Sequence, residues 1–269
     1  MYRHEVAWGF DMKPRYYAEP FTTVEVEVGS RCNRKCSYCP VSVVPPLSIP
    51  RHMSDQVFGQ LLAELKRIGF AGRISYHFYN EPLLRKDLEH LVVWTVDQLP
   101  RAHPVLFTNG DLLTDARHAS LRASGVEYIV VTRHSGGSYP ERPFQIVQYP
   151  SDLVLTNRGG TMTNLPAATD DILHKPCFAA SEMLIVSVTG DVLLCYEDAR
   201  REHVMGNIMR APLEEIWFSA NFCHIRSLLE LGKRSEASAI CKVCTNEAHI
   251  IPGVSAHSEP FWNHMEISW

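Results

Sequence analysis

Between Thr22 and Thr132 the chain alternates short strand-like stretches with amphipathic helical ones, and this alternation constrains the fold more than any other feature. "TTVEVEV", Thr22 to Val28, switches strictly between apolar and polar residues and reads as a strand. "SDQVFGQLLAELKRIGF" follows, with Ser54 as an N-cap and Val57, Leu61, Leu62 and Leu65 on one helical face. "RISYHFY" is the second strand, and a helix runs from about Leu84 to Leu99. "PVLFTNG" is the third strand, a helix spans about Thr114 to Ala123, and "VEYIVVT" is the fourth strand. Strands and helices at this spacing predict a parallel α/β sheet or barrel of right-handed βα units. After His134 the rhythm degrades, with a further strand expected at Asp152 to Thr156 and no clear helix, so the barrel should be partial.

Active sites of such folds collect in the loops at the C-terminal strand ends. Here those loops hold "SRCNRKCSYCPVS", "NEP" at Asn80 to Pro82, "TNG" at Thr108 to Gly110 and "TRH" at Thr132 to His134. The first places Cys32, Cys36 and Cys39 within eight positions. A structural zinc site wants four ligands, and no cysteine or histidine lies nearby to complete the set. A disulfide framework belongs to short, cysteine-dense secreted chains, whereas eight cysteines are spread here over 269 residues. Three thiolates suit an iron–sulfur cluster that keeps one iron open to an outside ligand.

A domain boundary is expected near Leu165 to His174. Beyond it, "MLIVSVTGDVLLCYED" reads as two short strands around a "TGD" turn in which Gly190 brings Cys195 back. One helix, "APLEEIWFSANFCHIRSLLEL", then precedes "CKVC". Cys177, Cys195, Cys241 and Cys244 are enough to close a metal site, although "CKVC" alone also fits a zinc knuckle or a redox pair. Cys223 lies in helical periodicity that suggests buried packing.

Composition excludes some classes. Hydrophobic residues make up 45% and charged residues 21%, as in ordinary globular chains, and a net charge of −4 shows no basic footprint for nucleic acid. No apolar run approaches the roughly 20 residues that span a bilayer. "MYRHEVAWGF" lacks the features of a signal peptide, so the expected location is the cytoplasm.

The three-cysteine loop, with Tyr38 just before its last cysteine, resembles the signature of radical S-adenosylmethionine enzymes. The run from Cys177 through Gly190 to Cys195, then "MGN", "LEEIW" and the paired cysteines, resembles the Twitch form of their auxiliary-cluster domain. "EVEV", "CNRKCSYCP", "FAGRISYHFYNEPLL", "TNGDLLT", "SDLVLTNRGG" and "MGNI" extend the resemblance to members that oxidise aminocyclitol alcohols, over residues 22 to 248. The resemblance implies a partial (βα) barrel of the radical SAM type over residues 21–168 and a small α+β Twitch domain over 169–250. An aromatic N-terminal extension, 1–20, is expected to pack on the barrel, and 251–269 forms a tail.

The implied cofactors are two 4Fe-4S clusters, on Cys32, Cys36 and Cys39 and on Cys177, Cys195, Cys241 and Cys244, together with S-adenosylmethionine. Tyr38, Asn80, Glu81 and Asn109 are its implied contacts, with Asn80 departing from the family's glycine; Glu81 read alone is equally a surface carboxylate, and the Asn109 loop a tight turn. The implied activity is oxidation of a secondary alcohol of an aminocyclitol or aminoglycoside intermediate to a ketone in antibiotic biosynthesis. Substrate residues carried over are Tyr79, Arg158, Tyr196 and Glu197, with Arg158 orienting the hydroxyl and Glu197 pairing with an ammonium. Phe107 replaces a tyrosine of the related enzymes, and His134 is a further candidate base or a structural histidine. A flavodoxin- or ferredoxin-type protein is the implied reductant. Competing readings are an epimerase using Cys223 as hydrogen donor, a peptide-modifying enzyme and a zinc protein.

Overall fold

The computed structural model describes residues 21–45, 49–135 and 138–252. The expected N-terminal extension, and the tail beyond Pro252, lie outside these residues. Strand β1 (Thr23–Val26) is followed by helix α1 (Asp55–Arg67), β2 (Arg73–Ser75), α2 (Leu88–Gln98), β3 (His103–Thr108), α3 (Asp115–Ser124), β4 (Tyr128–Thr132) and β5 (Gln145–Gln148). The C-terminal half supplies α4 (Asp170–Leu173), α5 (Ala179–Glu182), β6 (Met183–Val186), β7 (Asp191–Leu193), β8 (Val204–Asn207), α6 (Leu213–Trp217), α7 (Ala220–Glu230) and α8 (Arg234–Ala237). All strands join one open sheet in the order β5-β4-β3-β2-β1-β6-β7-β8. The six from β5 to β6 are parallel and the last two antiparallel, so the barrel is partial and the C-terminal hairpin extends it.

Local chemistry explains the elements. Ser54 accepts a hydrogen bond from the Val57 N–H and starts α1, whose Phe58, Leu61, Leu62 and Leu65 are buried. Gly190, with φ +84°, makes the turn between β6 and β7, a backbone conformation that side chains resist. Alternation sorts the strands onto two faces. Val24, Val26, Ile74, Leu106, Val131, Leu184 and Val186 join the core under the helices. Val105 and Val130 pack on the inner face, as do Met183 and Ile185.

Past the exposed Thr22, the polar members of "TTVEVEV" are therefore buried too. Glu25 keeps 8% of its surface and Glu27 2%, because the inner face of a barrel is enclosed even where it is polar. Glu25 lies 3.9 Å from Arg73 and 3.7 Å from His77. Glu27 accepts from Val188 N–H at 2.8 Å and pairs with Arg201, tying the end of β1 to the hairpin.

Four expectations are corrected. The strand expected at Asp152 to Thr156 lies earlier, at Gln145–Gln148; Pro150–Asp152 is a 3₁₀ turn closed by Asp152 accepting from Tyr149 N–H at 2.8 Å. The second helix starts at Leu88, since Glu81 caps a separate 3₁₀ turn, Pro82–Leu84. The single long helix is two, because Ser219 caps a new one at Phe222 N–H. That break turns Phe222, Ile225, Arg226 and Leu229 inward, and Cys223 is exposed instead of packed.

Burial pushes the Glu27 carboxyl up to about 7 from its ordinary 4.5, against the opposing pull of Arg201. A raised carboxyl favours folding most below pH 4.5 and loses that contribution as pH rises through 7, an effect on the order of 3 kcal/mol for this group. Stability of the cluster-loaded protein measured from pH 5 to 7.5 should therefore fall less steeply in Glu27→Gln than in the wild type. Parallel curves would remove Glu27 as the cause.

Candidate active site

The loop leaving β1 carries the three cysteines, and the loops after β2 and β3 brace it. Glu81 N–H donates to the Arg31 carbonyl at 2.8 Å. Asp111 accepts from Arg34 Nε at 2.6 Å and Asn33 Nδ2 at 3.0 Å, while Asn109 Nδ2 reaches Asn33 at 2.8 Å. The hydrogen bonds from Arg34 hold the Asp111 carboxyl below its ordinary range. Polar groups approach the sulfurs, among them Arg34 N–H at 3.4 Å and Asn109 Nδ2 at 3.9 Å from Cys32, and His134 Nδ1 at 3.5 Å from Cys36. His134 also bonds Tyr38 Oη. Its contacts put it with the three-cysteine loop.

Glu81 is 3% exposed. Its Oε1 accepts from Thr108 Oγ1 at 2.7 Å and Leu83 N–H at 3.0 Å, and its Oε2 from Asn109 N–H at 2.8 Å. Burial raises its pKa, and these donors oppose the rise. A carboxylate oxygen has two acceptor sites, so Oε2 keeps one for a cationic ligand. Asn80 accepts from Phe78 N–H at 2.6 Å, and its Nδ2 is buried with no partner, a donor left for an acceptor from outside the chain.

Cys177, Cys195, Cys241 and Cys244 converge on a small cavity lined also by Glu197, Arg234 and Asn246. Arg234 is 1% exposed and donates to the carbonyls of Lys175 (2.8 Å), Pro176 (2.8 Å) and Asn246 (2.7 Å), binding together the segments before Cys177 and after Cys244. Among the described residues it forms no ion pair. A buried unpaired cation beside four thiols fits an anionic thiolate cluster, since an uncompensated buried charge is costly. Zinc fits less well: its Zn–S bonds of about 2.3 Å demand sulfurs roughly 3.8 Å apart. Among the described residues no group of three cysteine, histidine or carboxylate side chains is close enough to hold a single ion. Burial pushes Cys32 and Cys241 up to about 11, and Cys195 and Cys244 well above the ordinary thiol value, so loading thiolate-bound metal releases protons.

Between the two sets stand Tyr79, Arg158, Tyr196 and Glu197. Tyr79 Oη donates to the Tyr196 carbonyl at 2.6 Å, and the Arg158 guanidinium sits 5.8 Å from the Tyr79 ring centre and 3.6 Å from Glu197. Glu197, 2% exposed, also accepts from Thr156 Oγ1 at 2.9 Å and Asn246 Nδ2 at 2.9 Å. Burial works against the Arg158 charge, but Glu197 and the neighbouring phenol and thiol groups outweigh it and hold the guanidinium protonated. Burial raises the Cys39 thiol, and Arg158 is near enough to oppose part of that rise. Tyr79 and Arg158 both have left-handed backbone, φ +51° and +50°, the kind of local strain that collects at functional sites.

Other groups in the site went unread in the sequence. Asn157 N–H donates to Thr245 Oγ1 at 2.8 Å and its Nδ2 to the Val243 carbonyl at 2.6 Å, clamping the Arg158 loop to the paired-cysteine loop. A Cβ on Gly160 would meet Val243 at 2.8 Å, so that approach requires glycine. "TNRGG" and the Asn246 just after "CKVC" were the available signals; Arg234, in a polar loop, offered none.

This arrangement matches known proteins. Over 237 residues the chain is 40% identical to the S-adenosyl-L-methionine-dependent 2-deoxy-scyllo-inosamine dehydrogenase of Niallia circulans, covering 84% of this chain and 93% of that one. The chain belongs to the radical SAM superfamily. The model of that superfamily matches residues 26–145, and that of an iron–sulfur cluster-binding domain, SPASM, matches 177–245. Its cofactors are accordingly two four-iron clusters and S-adenosylmethionine, each model enclosing one cysteine set. The crystal structure of BtrN in complex with AdoMet and 2-DOIA superposes with a TM-score of 0.79 at 37% identity, covering 86% of this chain and 95% of that one. An open conformation of BtrN gives 0.72 at 35% identity, with 86% and 94% covered. The two cysteine sets are tied to one sheet: β1, which feeds the first, pairs in parallel with β6, which lies between Cys177 and Cys195 of the second.

Proposed function

We propose that this radical SAM oxidoreductase converts a secondary alcohol of an aminocyclitol or aminoglycoside intermediate into a ketone in antibiotic biosynthesis. The observation that supports it best is the Tyr79–Arg158–Glu197 constellation between the two cysteine sets. When bound, the cofactors would supply hydrogen-atom abstraction from the carbinol carbon and an acceptor for the electron left behind.

The chain's residues then have separate tasks. Glu81 Oε2 takes the methionyl ammonium of S-adenosylmethionine, and Asn80 Nδ2, a donor, meets its carboxylate. Tyr38 and Asn109 complete that contact. Glu197 holds a substrate ammonium by a charge-assisted hydrogen bond. Arg158 orients the hydroxyl and stabilises the alkoxide that forms as its proton leaves, and being a permanent cation it is not the base. Tyr79 and Tyr196 shape the pocket floor. Phe107 offers no hydroxyl and stacks on His77 at 4.7 Å, which favours a substrate with one polar contact fewer than that of the relatives. His134 acts beside Tyr38 and Cys36. A flavodoxin- or ferredoxin-type protein supplies electrons in the cytoplasm; among the described residues no helix is long and apolar enough to cross a membrane.

Epimerisation is disfavoured because it needs a thiol donor in the pocket, and Cys223, the one cysteine outside both sets, is exposed on α7. The test is product mass. Anaerobically reconstituted enzyme, S-adenosylmethionine and candidate aminocyclitols should yield a product two mass units lighter, with deuterium from the carbinol carbon recovered in 5′-deoxyadenosine. Cys223→Ala should keep full activity. A product of unchanged mass in ordinary water, one unit heavier with deuterium at that carbon in deuterated water, would overturn the reading.

A further inference from the structure

Ser238 stands at the start of the turn that presents Cys241 and Cys244. Its Oγ accepts the Cys241 N–H at 3.3 Å and lies 3.1 Å from Cys241 Sγ. A hydroxyl has a single hydrogen, and among the described residues the Cys241 sulfur is the one acceptor it meets. In the metal-free thiol the polarity of that contact is open, since either S–H or O–H can donate. Thiolate ligation removes the S–H, and the contact then runs one way, O–H to sulfur, strengthened by the sulfur's charge.

We infer that Ser238 sets the reduction potential of the centre held by Cys177, Cys195, Cys241 and Cys244, by donating this hydrogen bond to Cys241. Hydrogen bonds to ligating sulfurs, with charge and solvent exposure, set the potentials of such centres. A donor stabilises the more negative, reduced form and raises the potential. Two neighbours act in the same direction without supplying a hydroxyl: Asn246 N–H lies 3.4 Å from Cys244 Sγ, and buried Arg234 adds a positive charge. Ser238 is the side chain among these that substitution changes most cleanly, because Arg234 also joins three carbonyls. The inference rests on the cluster assignment above, and through it the pocket gains a centre better able to take the electron left after hydrogen abstraction.

The alternative role for Ser238 is purely a cap for the Cys241 N–H, and the test separates the two. Full-length enzyme with both clusters is reduced stepwise and followed by electron paramagnetic resonance; added S-adenosylmethionine shifts the signal of the open-iron cluster and leaves the other identifiable. Ser238→Ala should load wild-type iron yet show a lower auxiliary potential, by about 59 mV for each tenfold change in the one-electron equilibrium. An exchangeable proton coupled to that cluster, seen by double resonance in ordinary but not deuterated water, should vanish in Ser238→Ala and return in Ser238→Thr. An unchanged potential and proton coupling in a fully loaded Ser238→Ala protein overturns the proposal. If the alanine variant does not load, the wild type decides: no exchangeable coupled proton on its auxiliary cluster overturns it as well. Absence of the auxiliary signal from the wild type, with half the iron, would instead strike the cluster assignment.

Discussion

Replacing Cys32, Cys36 and Cys39 together by alanine should halve the iron of the reconstituted protein and abolish cleavage of S-adenosylmethionine. Four of the five remaining cysteines form a separate set around their own cavity, braced by Arg234, so the auxiliary cluster should survive. Chemical iron analysis together with 5′-deoxyadenosine production checks both halves. The converse change, Cys241 and Cys244 to alanine, should leave some cofactor cleavage and no ketone. Iron near one cluster in the wild type, accompanied by zinc, would show that the two sets do not hold two clusters.

Arg158→Met should lower kcat/KM for the alcohol by at least a hundredfold while cofactor cleavage without substrate stays near normal. Two losses combine in this variant. The hydroxyl loses the cation that stabilises the alkoxide formed as its proton leaves, and Glu197, 2% exposed, keeps only the neutral protein donors Thr156 and Asn246. Truncating one partner of a buried charge pair costs about 2–5 kcal/mol, and a hundredfold is about 2.7 kcal/mol. Arg158→Lys should recover part of the rate, as a point charge without the planar fork. Glu197→Gln should act mainly on binding, by about 1.5–3 kcal/mol. Wild-type kinetics in Arg158→Met would take the residue out of the pocket.

The βα succession from β1 to β4 and the Cys32, Cys36 and Cys39 set were legible because their signals are local, in strand alternation, helix caps and thiols a few positions apart, whereas Cys177, Cys195, Cys241 and Cys244 are spread along the C-terminal segment and were joined through the family resemblance. The side on which a polar strand residue lands was not, and Glu25 and Glu27 show why. An alternating pattern distinguishes two faces but not solvent from a barrel interior. Contacts across the chain were also illegible, since Thr156 meets Glu197 41 residues away and Asn157 meets Thr245 88 residues away. Helix phase failed at Cys223 for a smaller reason, a serine cap that restarts the helix and rotates the residues of α7 about its axis.

The Asn157 clamp has a consequence for enzyme that loses its second cluster. Arg158 is held in place by a loop whose other half, Val243 to Thr245, is ordered around Cys244. Losing the second cluster should therefore cost the enzyme twice, by removing the acceptor for the electron and by loosening the anchorage of the Arg158 loop, and proteolysis near Arg158 in Cys241→Ala/Cys244→Ala protein would report the second loss.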